Sequence, residues 1–142
     1  MSLPAVVVLE PPAVLTKTER LQGRAAVSTA RLLLTVTRSR PAGLERTLRL
    51  LRRGAHPATP AQAQRTRAIV TTVSLRCASP HGCLLRSVSI AVGERLVGRS
   101  VRWQIGIASP PMSSHAWIEA GHPVGEPVDP HLFYTPILTV EP

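Results

Sequence analysis

The stretch Arg76-Cys77-Ala78-Ser79-Pro80-His81-Gly82-Cys83-Leu84-Leu85-Arg86-Ser87 reads as a loop that turns into a helix, with a cysteine at the turn. Leu84, Val88, Ala91 and Val92 follow at i, i+4, i+7 and i+8, one apolar stripe that predicts a helix over 84–96. Gly98 supplies its stop. Beyond it the period changes to two. Val101, Trp103, Ile105 and Ile107 alternate with Arg102, Gln104 and Gly106, the pattern of a half-buried strand. Ser109-Pro110-Pro111 turns the chain into a second strand over 114–120, which carries His115 and Trp117. A third strand is expected to begin at Pro123 to Gly125 after the Gly121-His122 turn, and a last short one at Ile137 to Val140.

Towards the N-terminus the pattern is helical. Thr59-Pro60 has the form of an N-cap followed by proline at the first helical position, opening a helix that runs through about Ser74. Leu44, Leu48 and Leu51 predict a helix over 44–53, with Pro41-Ala42-Gly43 as a break before it and Gly54-Ala55-His56-Pro57 as its stop. Between Lys17 and Thr37, Leu21, Ala25, Val27, Leu32 and Val36 are expected inward, with Arg20, Arg24 and Arg31 on the polar side. Residues 3–9 suggest a strand closed by Pro11-Pro12. The fold class is therefore α+β: a helical N-terminal half, then a helix feeding a small antiparallel sheet.

Charge divides the chain at about residue 67. Residues 1–67 hold twelve of the seventeen basic groups against Glu10, Glu19 and Glu45, and so carry all of the net +9. Residues 68–142 are balanced, five against five. An Arg-rich first half suits an acidic partner, because guanidinium groups speed association and bind carboxylate or phosphate bidentately. Nucleic acid is not expected: no recognised module is present, and aromatic residues for base stacking make up only 3%. Cys77 and Cys83, six apart, do not form a disulfide framework. The start Met1-Ser2-Leu3-Pro4 has no positively charged n-region, and no apolar run is long enough to span a bilayer. These features predict a cytoplasmic chain with reduced thiols.

Chemistry concentrates on few residues. A thiol in the first turn of a helix is stabilised as thiolate by the positive helix end, although a single intracellular cysteine is more commonly a small buried hydrophobe. His115 could deprotonate Cys83 and then protonate a leaving amine. A third group would hold the imidazole in its working tautomer. Asp129 is the only aspartate, and Glu126 stands nearer, at the end of the strand expected after Gly121-His122. Glu119 shares the parity of His115 but lies four residues along. Cys77, His81, Cys83 and His115 match no common zinc module. No metal or cofactor is called for, and His56, His122 and His131 sit in turns that need no special role. A basic, non-enzymatic interaction or nucleic-acid-binding protein with a structural Cys83 is the alternative.

Seven segments carry a resemblance when taken in order. They are Ser74-Leu75-Arg76-Cys77, Gly82-Cys83-Leu84-x-Arg86-Ser87, Gly98-Arg99, Ile105-Gly106, His115-Ala116-Trp117-Ile118-Glu119, Pro123-Val124-Gly125-Glu126-Pro127 and Leu138-Thr139-Val140. Together they resemble the leader peptidases of lasso peptide biosynthesis, a compact branch of the transglutaminase-like cysteine proteases. The resemblance implies a transglutaminase/papain-like core over 68–142, with residues 1–67 as an Arg-rich helical region for docking. It implies Cys83 as nucleophile and His115 as base, with the orienting acid either Glu126 or Asp129. His81, Gly82 and Trp117 would line the substrate and oxyanion side. His81 stands where an amide residue is more usual, and Met112 where an aromatic often follows the proline. The implied partners are a precursor peptide, a separate PqqD-like leader-recognition protein and an asparagine-synthetase-like macrocyclase.

Overall fold

The computed structural model describes residues 9–110 and 112–142, so the strand expected over 3–9 falls almost wholly outside the described residues. In chain order the elements are α1 (Lys17–Val36), α2 (Pro41–Leu51), β1 (His56–Pro57), α3 (Pro60–Val73), α4 (Leu75–Ala78), α5 (Cys83–Leu96), β2 (Arg99–Ser100), β3 (Arg102–Ala108), β4 (Ser113–Glu119), a single 3-10 turn (Pro130–Leu132) and β5 (Thr135–Val140). Two helices open on reciprocal caps. The Thr16 hydroxyl accepts from the Glu19 N–H while the Glu19 carboxylate accepts from the Thr16 N–H, both at 3.1 Å. Thr59 and Gln62 repeat the arrangement at α3. Pro41 begins α2 rather than breaking the chain before it, because proline at the first helical position gives up no hydrogen bond.

Helix α5 runs through the middle of the molecule. Helices α1 and α3 pack on it from one side, and β3 and β4 from the other. Its residues from Leu85 to Ile90 are all buried, so the expected single stripe is in fact burial all round. Trp103 ties the sheet to this helix by donating its indole N–H to the Ser87 hydroxyl at 3.0 Å. Glu94, fully buried, accepts from Arg99 Nε at 2.5 Å and from the Thr66 hydroxyl, fastening α5 to β2 and α3. One hydrophobic core draws on Ala26, Leu44, Ala63, Val88, Trp103 and Val140, residues spread over nearly the whole chain.

Of the α1 residues expected inward only Val27 is buried; the helix is rotated away from the rest. Leu21, Leu32 and Val36 are 71%, 62% and 71% exposed, and the buried face is Gly23, Ala26, Val27 and Ala30. The reason is close approach. A Cβ at Gly23 would sit 2.7 Å from the Ile69 side chain, and one at Gly93 would sit 3.5 Å from Ala26 Cβ. Small residues bring the helices together, which leaves the larger side chains outside.

The sheet has the order β4-β3-β5, antiparallel throughout. The strand expected at Pro123 to Gly125 is absent; a single bridge joins Glu119 to Pro123 before the chain turns away. The third strand is β5, added on the far side of β3. Consequently, among the described residues, β4 has no strand partner on its second edge beyond that single bridge. Replacing Gly23 by Leu should cost about 1–3 kcal/mol in urea denaturation through overpacking, whereas Leu21→Ala on the outer face should stay within about 0.5 kcal/mol.

Candidate active site

The loop before α5 is shaped by backbone proximity. Gly82 has an ordinary φ of −96°, but a Cβ there would lie 1.8 Å from the Arg76 carbonyl oxygen. Only glycine lets the chain pass so close before entering the helix. Arg86, 7% exposed, holds the same loop from the helix side: its Nη1 donates to the carbonyls of Cys77 at 2.9 Å and Ser79 at 3.1 Å. The Ser74 hydroxyl accepts from the Cys77 N–H at 3.3 Å. Cys83 thereby becomes the first residue of a 14-residue helix, at its positive end.

The thiol meets the free edge of β4. Its partners are the His115 imidazole and the Ala116 backbone N–H. His115 Nε2 is 3.0 Å from Glu126 Oε2, which leaves Nδ1 to serve the thiol. The imidazole is half-buried between two rings. Trp117 stacks on it at 5.8 Å and 16°, and Tyr134 is tilted against it at 5.4 Å. Gly106, paired with His115 across the strands, makes room for both rings; a Cβ there would come 2.8 Å from Tyr134 Cβ and 3.0 Å from the Trp117 ring. Trp117 is 1% exposed, so it lies behind the imidazole rather than on an open surface. Its indole N–H donates to Glu119 at 3.0 Å, and Glu119 also takes Arg102 and His131.

The electrostatics favour a separated charge pair. Burial pushes the Cys83 thiol up, but the hydrogen bonds from His115 and Ala116 and the charges of His115 and Arg86 outweigh it, so the thiol lies below its ordinary value. Burial also works against a charged His115, yet bonds to Cys83 and Glu126 and the charge on each push it up to about 9. Both shifts favour the thiolate–imidazolium form of the pair, the form that attacks a carbonyl carbon.

Of the two acids read from the sequence, Glu126 touches His115, reached by a loop instead of a neighbouring strand. Asp129 is turned elsewhere and accepts from the His131 N–H at 2.9 Å. His81 is exposed and lines a groove with Arg31, Arg76 and Gly82, separate from the cavity at His115 and Glu126. Sequence reasoning missed Arg67, Arg86 and Tyr134. Arg86 carried a signal, the lone charge between Cys83 and Gly93 in a segment otherwise of apolar and small residues. Arg67 carried none, because it reaches the site only through the packing of α3.

A profile of the transglutaminase-like superfamily matches residues 26–139. The chain belongs to the transglutaminase-like superfamily. No curated protein and no solved structure matches it. The superfamily match runs from α1 into β5, so it takes in the loop at Gly82, the free edge of β4 and the bulge where β3 pairs β5. Transglutaminase-like domains commonly belong to cysteine peptidases and transferases.

Two outcomes test this geometry. Iodoacetamide should label Cys83 below the ordinary thiol range of about 8.5 and spare Cys77, which is fully buried. In Glu126→Gln the bond and charge that raise His115 are lost. The imidazolium should then deprotonate below the wild-type value of about 9, shifting the alkaline limb of the pH–reactivity profile to lower pH.

Proposed function

We propose that this chain is a cysteine peptidase that removes the leader from a ribosomally made lasso precursor peptide. The observation that carries the reading is the Cys83 thiol at a helix N-terminus, neighboured by His115, whose imidazole in turn bonds Glu126. The ordered motifs around these residues support the leader-peptidase specificity.

In this reading the Cys83 thiolate attacks the scissile carbonyl carbon. The oxyanion is met by backbone N–H groups of the first turn of α5, which have no partner within the helix. The His115 imidazolium gives its proton to the departing core amine as the C–N bond breaks. Neutral His115 then takes a proton from water, whose oxygen attacks the thioester and releases the leader as a free acid. Glu126 keeps the imidazole in position and stabilises its charge. The freed core amine is the group a separate ATP-using macrocyclase would join to an acidic side chain.

We assign docking of the leader, or of a separate leader-recognition protein, to the outward faces of α1 and α2 within residues 1–67. Exposed Leu21, Leu32 and Val36 lie among Arg20, Arg24 and Arg31 there, an apolar stripe with basic flanks. Arg49, Arg52 and Arg53 form a second basic cluster around Gly54. Such a surface suits an acidic leader or partner.

Incubating precursor, recognition protein and this chain, then weighing the products, tests the activity. Hydrolysis gives the free leader acid and a core with a new amine; acyl transfer would give a new amide instead. Cleavage should vanish in Cys83→Ala and fall on the order of 100-fold in Glu126→Gln. Full cleavage by Cys83→Ala would sink the proposal. Reversing charge at Arg49, Arg52 and Arg53 should weaken complex formation and make the remaining affinity less sensitive to salt.

A further inference from the structure

Beside His115 and Glu126 opens a cavity of about 760 Å3 whose wall includes Glu10, Arg67, Ser79, Arg86 and Gly125. Two guanidinium groups contribute to this wall, and both are more than nine-tenths buried, Arg67 at 6% and Arg86 at 7% exposure. Arg86 is engaged in holding the carbonyls of the loop before Cys83. Arg67 has a different partner. It reaches in from α3 and lies so close to Gly125 that a Cβ there would come 2.1 Å from its Nε. Its Nη2 pairs with the carboxylate of Glu10.

Glu10 belongs to the extended segment before α1. That segment is fastened to α3 further along, where the Ala13 N–H donates to the Thr72 hydroxyl at 2.9 Å and Arg65 donates to the Val14 carbonyl at 3.0 Å. The Glu10 side chain is itself 35% exposed. Two neighbouring buried cations are costly without a counter-charge; burial and the charge of Arg86 pull the Arg67 pKa down, against the charges of Glu10 and Glu126, and of these two carboxylates Glu10 is the one bonded to it. A solvent-accessible carboxylate therefore rests on a buried guanidinium in the wall of the cavity that contains the His115–Glu126 pair.

We propose that Arg67 is a carboxylate-binding subsite for an acidic side chain of the peptide substrate close to the scissile bond, and that Glu10 occupies it until substrate displaces it. This rests on the peptidase reading above. A guanidinium presents a planar fork that matches a carboxylate with two parallel N–H donors. A glutamine side chain could replace the shape of Glu10 but not its charge, so the subsite selects Glu over Gln.

Matched tripeptidyl chloromethyl ketones, with Glu or Gln at each position in turn, would test it; a thiolate displaces their chloride and becomes alkylated. The measurement is the ratio of inactivation rates, Glu over Gln, within each protein, so a general change in reactivity cancels. Wild type should prefer Glu by about tenfold at one position, the size expected of a charge-assisted bond. Glu10→Gln should enlarge that ratio by vacating the guanidinium. Arg67→Met should bring the ratio to about 1, and Arg67→Lys, which keeps the charge without the fork, to an intermediate value. A ratio near 1 at every position in the Glu10→Gln chain overturns the subsite while leaving the peptidase intact. Failure of every chloromethyl ketone to label Cys83 would overturn the peptidase reading and the subsite with it.

Discussion

The arrangement depends on one contact, the first turn of α5 meeting the unpaired edge of β4. A strand with partners on both sides could not offer the Ala116 N–H to a thiol, because that group would already be bonded within the sheet. The order β4-β3-β5 leaves the edge open. Unpaired edges are ordinarily a liability, open to pairing with other chains. Here the end of a helix covers part of it, and the contact places Cys83 against His115.

Holding that contact requires rigidity on both sides. On the helix side, Gly82 passes close to the Arg76 carbonyl, and Arg86 gathers two further carbonyls of the same loop. A buried arginine is expensive unless its donors are used; these donors are used to fix the approach to Cys83. On the sheet side, Trp117 and Tyr134 clasp the imidazole, and Glu119 anchors the Trp117 indole from beneath. Gly106 provides the space for both rings. The catalytic groups proposed above are thus set by neighbours that never need to touch a substrate.

Elements with strong local chemistry were legible in the chain. The Thr59-Pro60 cap, the helix over Leu44, Leu48 and Leu51 and the strand around Trp103 all correspond to observed elements, although in that strand Gln104 is buried and Ile107 is exposed, against the expected alternation. The face of α1 was not legible, since hydropathy rewards Leu21 and Leu32 while close packing selected Gly23, Ala26 and Ala30. Local reading also cannot see that β5 would pair with β3 and leave Pro123 to Glu126 as a loop. Glu126 reaches His115 by that loop, an outcome no strand periodicity encodes.

The sequence by itself determined the helix-then-sheet class, the entry of Cys83 into a helix and the order of motifs that marks out Cys83, His115 and two candidate acids, Glu126 and Asp129. These depend on caps, periodicity and turn residues, all expressed over a few neighbouring positions. Tertiary structure alone decided which acid faces His115, that Trp117 lies buried behind it, and that Arg67, counted among surface charges by composition, comes to line the cavity beside His115 and Glu126. Each of these brings together residues distant along the chain, and only the packing of α3, α5 and the sheet around a common core brings them within reach.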